Sequence, residues 1–434
     1  MPYDIIIGRD AADKERFGAQ GLIYLGKSFV RMGTYTSLSN KLWMDIARSH
    51  VVLVAGKRGS GKSYSLSVIA EELSALPGDA AGNIASLIFD TMGIFWSMKY
   101  KNERDAALLR EWELAPRSLP VKVMVPFGKA GDYQGHGIPV DALFALSPSE
   151  LTAEDWSSLF NLDFISLPAV LIERIITSLH EHQRSFAISD IITKVEADAK
   201  ASAANKEIVS ALFSAAATWG IFATHGQGTS LRELLTPATT TILDISAYSS
   251  SLNFNIRALV IALLARKIFY HRLAARKQEE LEALHSAGIT ATTAHKEPLV
   301  WLFIDEAHEF LPREGKTPAT DALVQLLREG RQPGISLVLA TQQPGQIHRD
   351  AASQADIVLA HRITAKADIA ALNEIMQSYV LESIRQQLNE LPHLKGSAII
   401  LDDNSERIYP MRIRPKFTWH GGESPAALAP EPKI

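Results

Sequence analysis

A glycine-rich segment that ends in lysine and serine offers the clearest chemistry in the sequence. Residues 56–63, GKRGSGKS, fit the spacing GxxxxGK[ST] and lie between an apolar run at 51–55 and a helical pattern at 64–73. The glycines let backbone N–H groups converge on a β-phosphate, and the helix N-terminus adds the positive end of its dipole. Lys62 would neutralise the β- and γ-phosphate oxygens, and the Ser63 hydroxyl would ligate Mg²⁺. We therefore predict a P-loop that binds ATP and Mg²⁺ through Gly56, Arg58, Gly59, Ser60, Gly61, Lys62, Ser63 and Tyr64.

A pair of acidic residues follows a second apolar run. Residues 299–304, LVWLFI, are followed by Asp305 and Glu306, which is the Walker-B arrangement. Asp305 would hold the water shell of Mg²⁺, and Glu306 could polarise the attacking water. The alternative is an acid pair at a helix N-terminus. A glutamate in this position favours ATP hydrolysis over nucleotide storage.

A third polar element follows the apolar run at 336–340. Thr341, Gln342 and Gln343 come directly after this run. A polar side chain at the end of a strand beside the Walker-B strand can contact the γ-phosphate. Gln342 is the better candidate, with Gln343 close behind, and the alternative is a solvated turn before Pro344.

Two arginines precede that third run, in the segment LREGRQPG at 327–334. Arg328 and Arg331 sit at the end of a helical pattern, where an arginine can be an ordinary C-terminal cation. An arginine there can also be a finger inserted into the site of a neighbouring subunit. The residues alone leave both possibilities open.

The elements that must position these residues alternate between strands and helices. Such continuous apolar strands between helices predict an α/β fold with a parallel sheet covered on both faces. The predicted strands are 51–55, 86–89, 121–125, 241–245, 300–304, 336–340, 357–360 and 398–401.

The same patterns suggest how the chain is divided. We expect a short β-rich segment at 1–45 with strands at 4–7, 22–25 and 28–32, and an ATPase core at 46–127 and 229–420. Residues 128–228 are predicted to be a helical insertion, and residues 271–295 a polar helix that runs to the surface. Residues 421–434 are predicted to be a flexible tail because they are rich in Pro, Ala and Gly.

Composition narrows the classes of protein. Of the 434 residues, 47% are hydrophobic and 21% are charged, which excludes a largely disordered or coiled-coil chain. The net charge of −4 gives no global basic field, so any contact with nucleic acid must be local. Cysteine is absent, which excludes disulfides, thiol catalysis and cysteine-bound metal. Because the longest apolar run, 258–265, is shorter than the roughly 20 residues of a membrane helix, and no signal peptide is visible at 1–10, we expect a cytoplasmic protein without a membrane partner.

Taken together, these motifs resemble the HerA family, hexameric ATPases related to FtsK-type DNA translocases. The resemblance is carried by the two Walker motifs and by three strings: REGR followed by SLVLATQQP at 328–344, ASQAD at 352–356, and DTMG at 90–93. It departs from the family in the short segment before the Walker-A strand and in Thr91, where the family has proline. The letters DEAH at 305–308 also match another helicase class, but that class carries two RecA-like domains, so we treat this match as incidental.

The resemblance implies a RecA-like core, a homohexamer with ATP at subunit interfaces, and double-stranded DNA in a central channel. It makes Gln342 a sensor and Arg331 the likelier trans finger, with Arg328 in reserve. Channel loops need cations that bind phosphate, although each candidate can also be an ordinary surface charge. The candidates are Lys99, Lys101, Arg104, Arg313 and Lys316.

The expected function is therefore ATP-driven translocation of double-stranded DNA, together with a partner nuclease or other effector in DNA end processing or antiviral defence. One alternative is a regulatory ring that binds ATP and activates an effector enzyme without being a motor. A secretion or conjugation ATPase is the weakest alternative, because it would require a membrane.

Overall fold

The apolar runs form the strands of one large sheet. The computed structural model describes residues 3–32, 35–225, 227–248, 255–285, 297–363, 365–376, 387–388 and 390–422. In that part of the chain the strands are β1 (Ile5–Ile7), β2 (Leu22–Met32), β3 (Tyr35–Asp45), β4 (Val51–Ala55), β5 (Ile84–Asp90), β6 (Val121–Pro126), β7 (Ala142–Phe144), β8 (Thr240–Asp244), β9 (Leu299–Ile304), β10 (Ile335–Thr341), β11 (Ile357–His361), β12 (Ser397–Asp402) and β13 (Arg407–Ile413).

More than half of the sheet, from β11 to β7, is built of parallel strands. Its order is β1-β3-β2-β13-β12-β11-β4-β10-β9-β5-β8-β6-β7. Neighbours from β11 to β7 run parallel, whereas β12, β13 and β2 join on by antiparallel pairing. A chain that alternates strands and helices must cross over between parallel strands, which explains this arrangement.

Helices cover both faces of the sheet. They are α1 (Ala11–Phe17), α2 (Lys62–Ser74), α3 (Gly78–Gly82), α4 (Ala106–Glu111), α5 (Ala130–Gly135), α6 (Ala153–Leu159), α7 (Leu167–His182), α8 (Ile188–Ala197), α9 (Ala203–Ala217), α10 (Leu231–Leu234), α11 (Ile256–His285), α12 (Thr320–Glu329), α13 (Arg349–Ser353) and α14 (Lys366–Met376).

The alternation of side chains along β4 shows why both faces need cover. Val51, Leu53 and Ala55 belong to one hydrophobic cluster, with the buried side of α11. Val52 and Val54 belong to a second cluster, with the buried side of α2. All five residues are fully buried, so this strand is continuously apolar, as expected for a parallel sheet covered on both faces.

The prediction of a mostly parallel α/β fold is confirmed. The eight predicted strands coincide with β4, β5, β6, β8, β9, β10, β11 and β12 to within two residues at each end. The segment at 128–228 contains α5 to α9, and also β7, which extends the sheet by pairing with β6.

The N-terminal strands are part of the same sheet. The predicted pieces at 22–25 and 28–32 form one continuous strand, β2, which pairs with β3 and, through Gly26–Ser28, with β13. The strands of residues 1–45 therefore join the sheet of the ATPase core in this structure. The two pieces look separate in the sequence because Gly26 and Lys27 interrupt the apolar pattern, but β2 is an interior strand between β3 and β13.

Two predictions reach beyond the described residues. The polar helix expected at 271–295 is helical as far as His285, within α11, and residues 286–295 lie outside the described residues. Of the tail expected at 421–434, residues 423–434 lie outside them as well.

A chain of buried charges crosses the amino edge of the sheet, opposite the P-loop. Arg9 donates through Nε to Asp45 at 2.7 Å. His50 contacts Asp45 through Nε2 at 3.1 Å and Asp356 through Nδ1 at 2.7 Å. Arg331 approaches the other oxygen of Asp356 at 3.2 Å. Burial lowers the pKa of His50, but the two carboxylates outweigh it and raise that pKa to about 9.

The pH dependence of stability should reveal this charge. A histidine whose folded pKa lies above its unfolded value of 6.5 stabilises the fold at low pH, and loses that contribution as the pH rises through about 9. At about 1.4 kcal/mol per pKa unit, this contribution is about 3 kcal/mol at most. Urea unfolding at pH 7 and pH 10 should therefore show a smaller loss of unfolding free energy in His50→Asn than in the natural protein. The exposed His182, replaced in the same way, is the control, and equal losses in all three proteins would contradict the assignment.

Candidate nucleotide-binding site

The predicted motifs meet at the carboxyl edge of three adjacent strands. β4 pairs with β10, and β10 pairs with β9. The P-loop follows β4, the acid pair follows β9, and Gln342 follows β10. The carboxyl edge of an open parallel sheet is where such folds bind ligands. The structure therefore brings together groups that lie far apart in the sequence.

The P-loop has the backbone of a phosphate cradle. Gly59 and Gly61 have φ of 72° and 114°, which favour glycine, and α2 begins at Lys62. The loop is fastened to neighbouring strands because the N–H of Gly56 donates to the carbonyl of Thr341 at 3.3 Å. The Lys62 ammonium donates to the carbonyl of Lys57 at 3.3 Å. Burial lowers the pKa of Lys62, against the opposing effect of the nearby carboxylates.

Ser63 and Asp305 connect the two Walker motifs directly. The Ser63 hydroxyl donates to Asp305 at 2.5 Å. Asp305 is buried, and its burial raises its pKa. A hydroxyl and a buried carboxylate side by side are the oxygen donors that Mg²⁺ prefers. These residues therefore fit the cation that a P-loop implies.

Glu306 and Gln342 form the second contact between motifs. The Gln342 amide donates to one carboxylate oxygen of Glu306. The other oxygen, Oε2, is buried and has no hydrogen-bond partner among the described residues, although His308 Nδ1 lies 3.7 Å away. Glu306 itself has φ of 51°, a left-handed conformation that is uncommon for a non-glycine residue. An unsatisfied buried carboxylate in a strained backbone is typical of a functional position.

Gln343 and His308 lie further out. Gln343 approaches His308 at 3.5 Å, and His308 in turn contacts the Thr341 hydroxyl at 3.3 Å. Among the described contacts, Gln342, and not Gln343, reaches Glu306. Gln342 is therefore the better placed of the two candidates.

His361, at the end of β11, supports the P-loop from below and was not identified from the sequence. Its Nδ1 donates to the carbonyl of Ser397 at 3.2 Å, which leaves Nε2 to accept from the Ser65 hydroxyl at 2.8 Å. Burial lowers the pKa of His361 to about 4, so the ring is neutral. The sequence gives no motif for this role, because only the pairing of β11 with β4 shows that His361 lies beside Gly56.

Arg328 and Arg331 lie at the opposite, amino edge of the sheet, where α12 leads into β10. Arg328 donates to Asp350 at 2.7 Å. Arg331 donates to the carbonyl of Gln354 at 3.1 Å, in addition to its ion pair with Asp356. The structure thus does not bring either arginine to the P-loop of its own chain.

The candidate DNA-binding cations are mostly engaged within the chain. Lys99 pairs with Asp141 at 2.5 Å, and Lys316 pairs with Asp321 at 2.9 Å. The other three have these surroundings: Arg313 donates to the carbonyl of Gly345 at 3.3 Å, Arg104 lies 4.9 Å from the centre of the Trp419 ring, and the side chain of Lys101 is exposed.

The strand order, the P-loop after β4 and the acid pair after β9 define the class of P-loop ATPases. A family model described as the central domain of helicase HerA matches residues 31–267, just over half of the chain. The chain belongs to the HerA family, and the resemblance found in its motifs is confirmed. A model described as zonular occludens toxin (Zot) matches residues 252–386.

Two curated relatives share part of the chain. The DNA double-strand break repair helicase HerA of Pyrococcus furiosus is 27% identical over 143 residues, which are 32% of this chain and 24% of the relative. The probable DNA double-strand break repair helicase HerA of Methanocaldococcus jannaschii is 30% identical over 93 residues, 21% of this chain and 18% of the relative. The matched region thus spans about a quarter of these relatives or less.

A solved structure shares the fold over most of its length. VirB4 of Thermoanaerobacter pseudethanolicus is 12% identical in sequence and superposes with a TM-score of 0.56. The superposition covers 91% of this chain and 96% of the VirB4 chain. In the described part of this chain, no helix is long and apolar enough to cross a membrane.

The first glycine of the P-loop gives a test of the site's geometry. A Cβ at Gly56 would lie 2.4 Å from Ser60 Oγ and 2.8 Å from His361 Cβ, so Gly56→Ala must displace the loop. We expect binding of MgATP to weaken by at least about tenfold, since a displaced loop loses converging N–H donors worth at least about 1.4 kcal/mol. Isothermal titration calorimetry measures this. Gly131→Ala on α5, where a Cβ meets nothing within 4 Å, is the matched control. Unchanged affinity in Gly56→Ala would show that phosphate is not bound here.

Proposed function

We propose that this chain is an ATP-hydrolysing, homohexameric translocase of double-stranded DNA. The observation that carries the proposal is the joining of Ser63 to Asp305 and of Gln342 to Glu306 at one edge of the sheet. Membership of the HerA family supports it, as do two relatives whose names describe helicases of DNA double-strand break repair.

Each residue of the site has a role in this proposal. Lys62 and the N–H groups of the P-loop bind the β- and γ-phosphates of ATP. Ser63 and Asp305 would hold Mg²⁺, which when bound neutralises charge on the phosphate oxygens. Glu306 accepts a proton from the attacking water through its unpartnered Oε2. Because that oxygen has no hydrogen-bond partner among the described residues, no competing hydrogen bond there must break first.

Gln342 links hydrolysis to movement. Its amide donates to Glu306 in this structure and lies at the end of the strand beside the P-loop strand. An arriving γ-phosphate offers a charged acceptor for the same amide, and charge-assisted hydrogen bonds are the stronger ones. Transfer of the amide from carboxylate to phosphate would free Glu306 and make β10 responsive to the state of the nucleotide.

The positions of the two arginines are compatible with the proposed head-to-tail hexamer. In the trans arrangement, Arg331 from the amino edge of one copy completes the site at the carboxyl edge of the next, with Arg328 as the reserve candidate. Such a head-to-tail contact closes into a ring when its rotation permits. Lys101, with Lys99, Arg104, Arg313 and Lys316, would contact DNA phosphates in the channel, and six copies add their contributions.

The ATPase activity and its dependence on DNA test the proposal directly. The natural protein should hydrolyse ATP in the presence of Mg²⁺, and linear duplex DNA should raise the rate of hydrolysis. Lys62→Ala should lose nucleotide binding, whereas Glu306→Gln should bind ATP yet lose at least about a hundredfold in rate, the typical loss when a general base is removed. Phosphate release and calorimetry measure the two quantities. Lys194→Ala, at an exposed position of α8, is the control. ATP hydrolysis that Glu306→Gln leaves intact would contradict the assigned base.

The ion pairs of Lys99 and Lys316 favour a second candidate, a regulatory ring that activates an effector enzyme. Cations neutralised by neighbouring acids bind DNA phosphates less strongly, so ATP binding could assemble a scaffold without driving a motor. In either case we propose a nuclease or other effector as the partner and the cytoplasm as the location. Effector activity that survives Glu306→Gln would favour the scaffold over the translocase.

Mixing two inactive variants tests the shared site. Arg331→Ala should abolish hydrolysis but leave ATP binding, because the arginine acts on the neighbouring copy. Refolding or co-expressing Arg331→Ala with Glu306→Gln should restore activity, up to about a quarter of the natural rate if heterologous interfaces form at random. Arg328→Ala in the same mixture decides between the two arginines. No recovery in either mixture, with rings still assembled by native mass spectrometry, would contradict a trans finger.

A further inference from the structure

The last described segment of the chain lies against the P-loop helix. In residues 414–421, which we call the C-terminal strap, the backbone N–H groups of Phe417 and Thr418 donate to Glu71 on α2 at 3.1 and 2.9 Å. On its other side the N–H of Trp419 donates to the carbonyl of Tyr100 at 2.7 Å. The strap is thereby fixed between α2 and the segment that follows β5.

Two side chains of the strap lie close to the ring of Tyr64. Tyr64 follows Ser63 directly in the first turn of α2, and its hydroxyl accepts from the N–H of Lys416 at 2.7 Å. The His420 ring meets the Tyr64 ring edge to face, with centroids 5.1 Å apart. The Lys416 ammonium lies 5.9 Å from the centre of the same ring. Both rings are part-exposed, so a partly accessible aromatic surface lies beside the P-loop.

Lys416 is a buried cation whose ammonium forms one long hydrogen bond among the described contacts. It is 1% exposed, and its ammonium donates to the carbonyl of Trp419 at 3.4 Å. Within the described residues it forms no ion pair, and its burial lowers its pKa to about 8. A buried ammonium with one long hydrogen bond is costly unless another acceptor arrives. The charge of the buried Glu71 carboxylate offsets part of this cost, since it raises the pKa of Lys416.

We propose that Tyr64, His420 and Lys416 form the pocket for the purine base of the bound nucleotide. This inference rests on the proposed function, because it needs a triphosphate on the P-loop. The phosphates bound at Lys62 and Ser63 place the sugar and base of the nucleotide near the next residue of the helix, Tyr64. A purine has the larger π-face to lie against an aromatic ring, and its ring nitrogens accept a hydrogen bond from an ammonium.

The charge of the pocket agrees with this ligand. Burial, together with the positive charges of Lys416, Arg104 and Lys395, lowers the pKa of His420 to about 3. The His420 ring is therefore neutral and does not add a second positive charge beside Lys416. An uncharged base with acceptor atoms suits this environment better than another phosphate would, since the phosphates already have Lys62 and the P-loop N–H groups.

The experiment compares MgATP with magnesium tripolyphosphate, which has the phosphates but no base. Calorimetry on the full chain should show that Tyr64→Ala weakens MgATP binding by about tenfold or more, the typical loss for a stacked base, yet changes tripolyphosphate binding by less than about twofold. Tyr64→Phe should keep ATP affinity within about threefold because the ring remains. Lys416→Met should lower the preference for ATP over CTP. Tyr270→Ala, an exposed aromatic on α11, is the control.

The outcomes separate this inference from the proposed function. If Tyr64→Ala weakens the binding of tripolyphosphate as much as that of ATP, Tyr64 merely supports the P-loop helix, and the proposed base pocket is contradicted. The pocket is also overturned if the natural protein binds tripolyphosphate as tightly as ATP, or CTP as tightly as ATP, and these comparisons need no variant to fold. If the natural protein binds neither ATP nor tripolyphosphate, the proposed function fails and the pocket fails with it.

Discussion

The hydrogen bond between Ser63 and Asp305 is the contact on which the candidate site depends. It joins residues 242 positions apart in the chain, one in the first turn of α2 and the other directly after β9. A single strand, β10, separates β4 from β9 in the sheet. Such a contact forms only if β4, β10 and β9 keep their parallel register, because a shift along a strand moves a side chain by more than 3 Å per residue. The burial of all five residues of β4 fixes that register. The hydrophobic cores on both faces thus determine where the hydroxyl and the carboxylate meet.

The same sheet also connects the site to distant parts of the chain. At the amino edge, His50 joins Asp45 at the end of β3 to Asp356 before β11, and Arg331 contacts the same aspartate. In the function we propose, the residue that completes a neighbouring copy's site is therefore attached to the N-terminal strands through buried charges. Removing one partner of a buried pair strongly destabilises a fold, so loss of His50 would disturb Asp356, which is also the partner of the half-exposed Arg331.

The strand pattern could be predicted because buried parallel strands are continuously apolar, and the P-loop could be predicted because its glycine spacing is rarely used for anything else. β3 and β13 were not predicted, since residues such as Lys41 and Arg407 break the apolar pattern on strands that lie away from the central core. His361 and Lys416 could not be found either. Their environments arise from the pairing of β11 with β4 and from the packing of the strap on α2, which involve residues about 300 or more positions apart.

The ion pairs between charged side chains could not be predicted from the sequence either. Lys99 and Asp141 are 42 positions apart. They meet because the short 3₁₀ helix Phe95–Lys99 lies near β6, whose Val123 donates to Asp141, so a lysine expected to face DNA is engaged with an acid. The hexamer and the trans arginine are inferred from the family resemblance, because both involve more than one chain. A single chain does show the two Walker motifs in contact with each other. Nucleotide-binding experiments test that contact most directly.

The most direct measurement is the dependence of ATP affinity on Mg²⁺ in the natural protein and in Asp305→Asn, with Asp321→Asn, an exposed acid on α12, as the control. If Asp305 and Ser63 hold the cation, Mg²⁺ should tighten ATP binding in the natural protein and in Asp321→Asn, and should do so far less in Asp305→Asn. The same gain from Mg²⁺ in all three proteins, or no binding of ATP to the natural protein, would contradict the account.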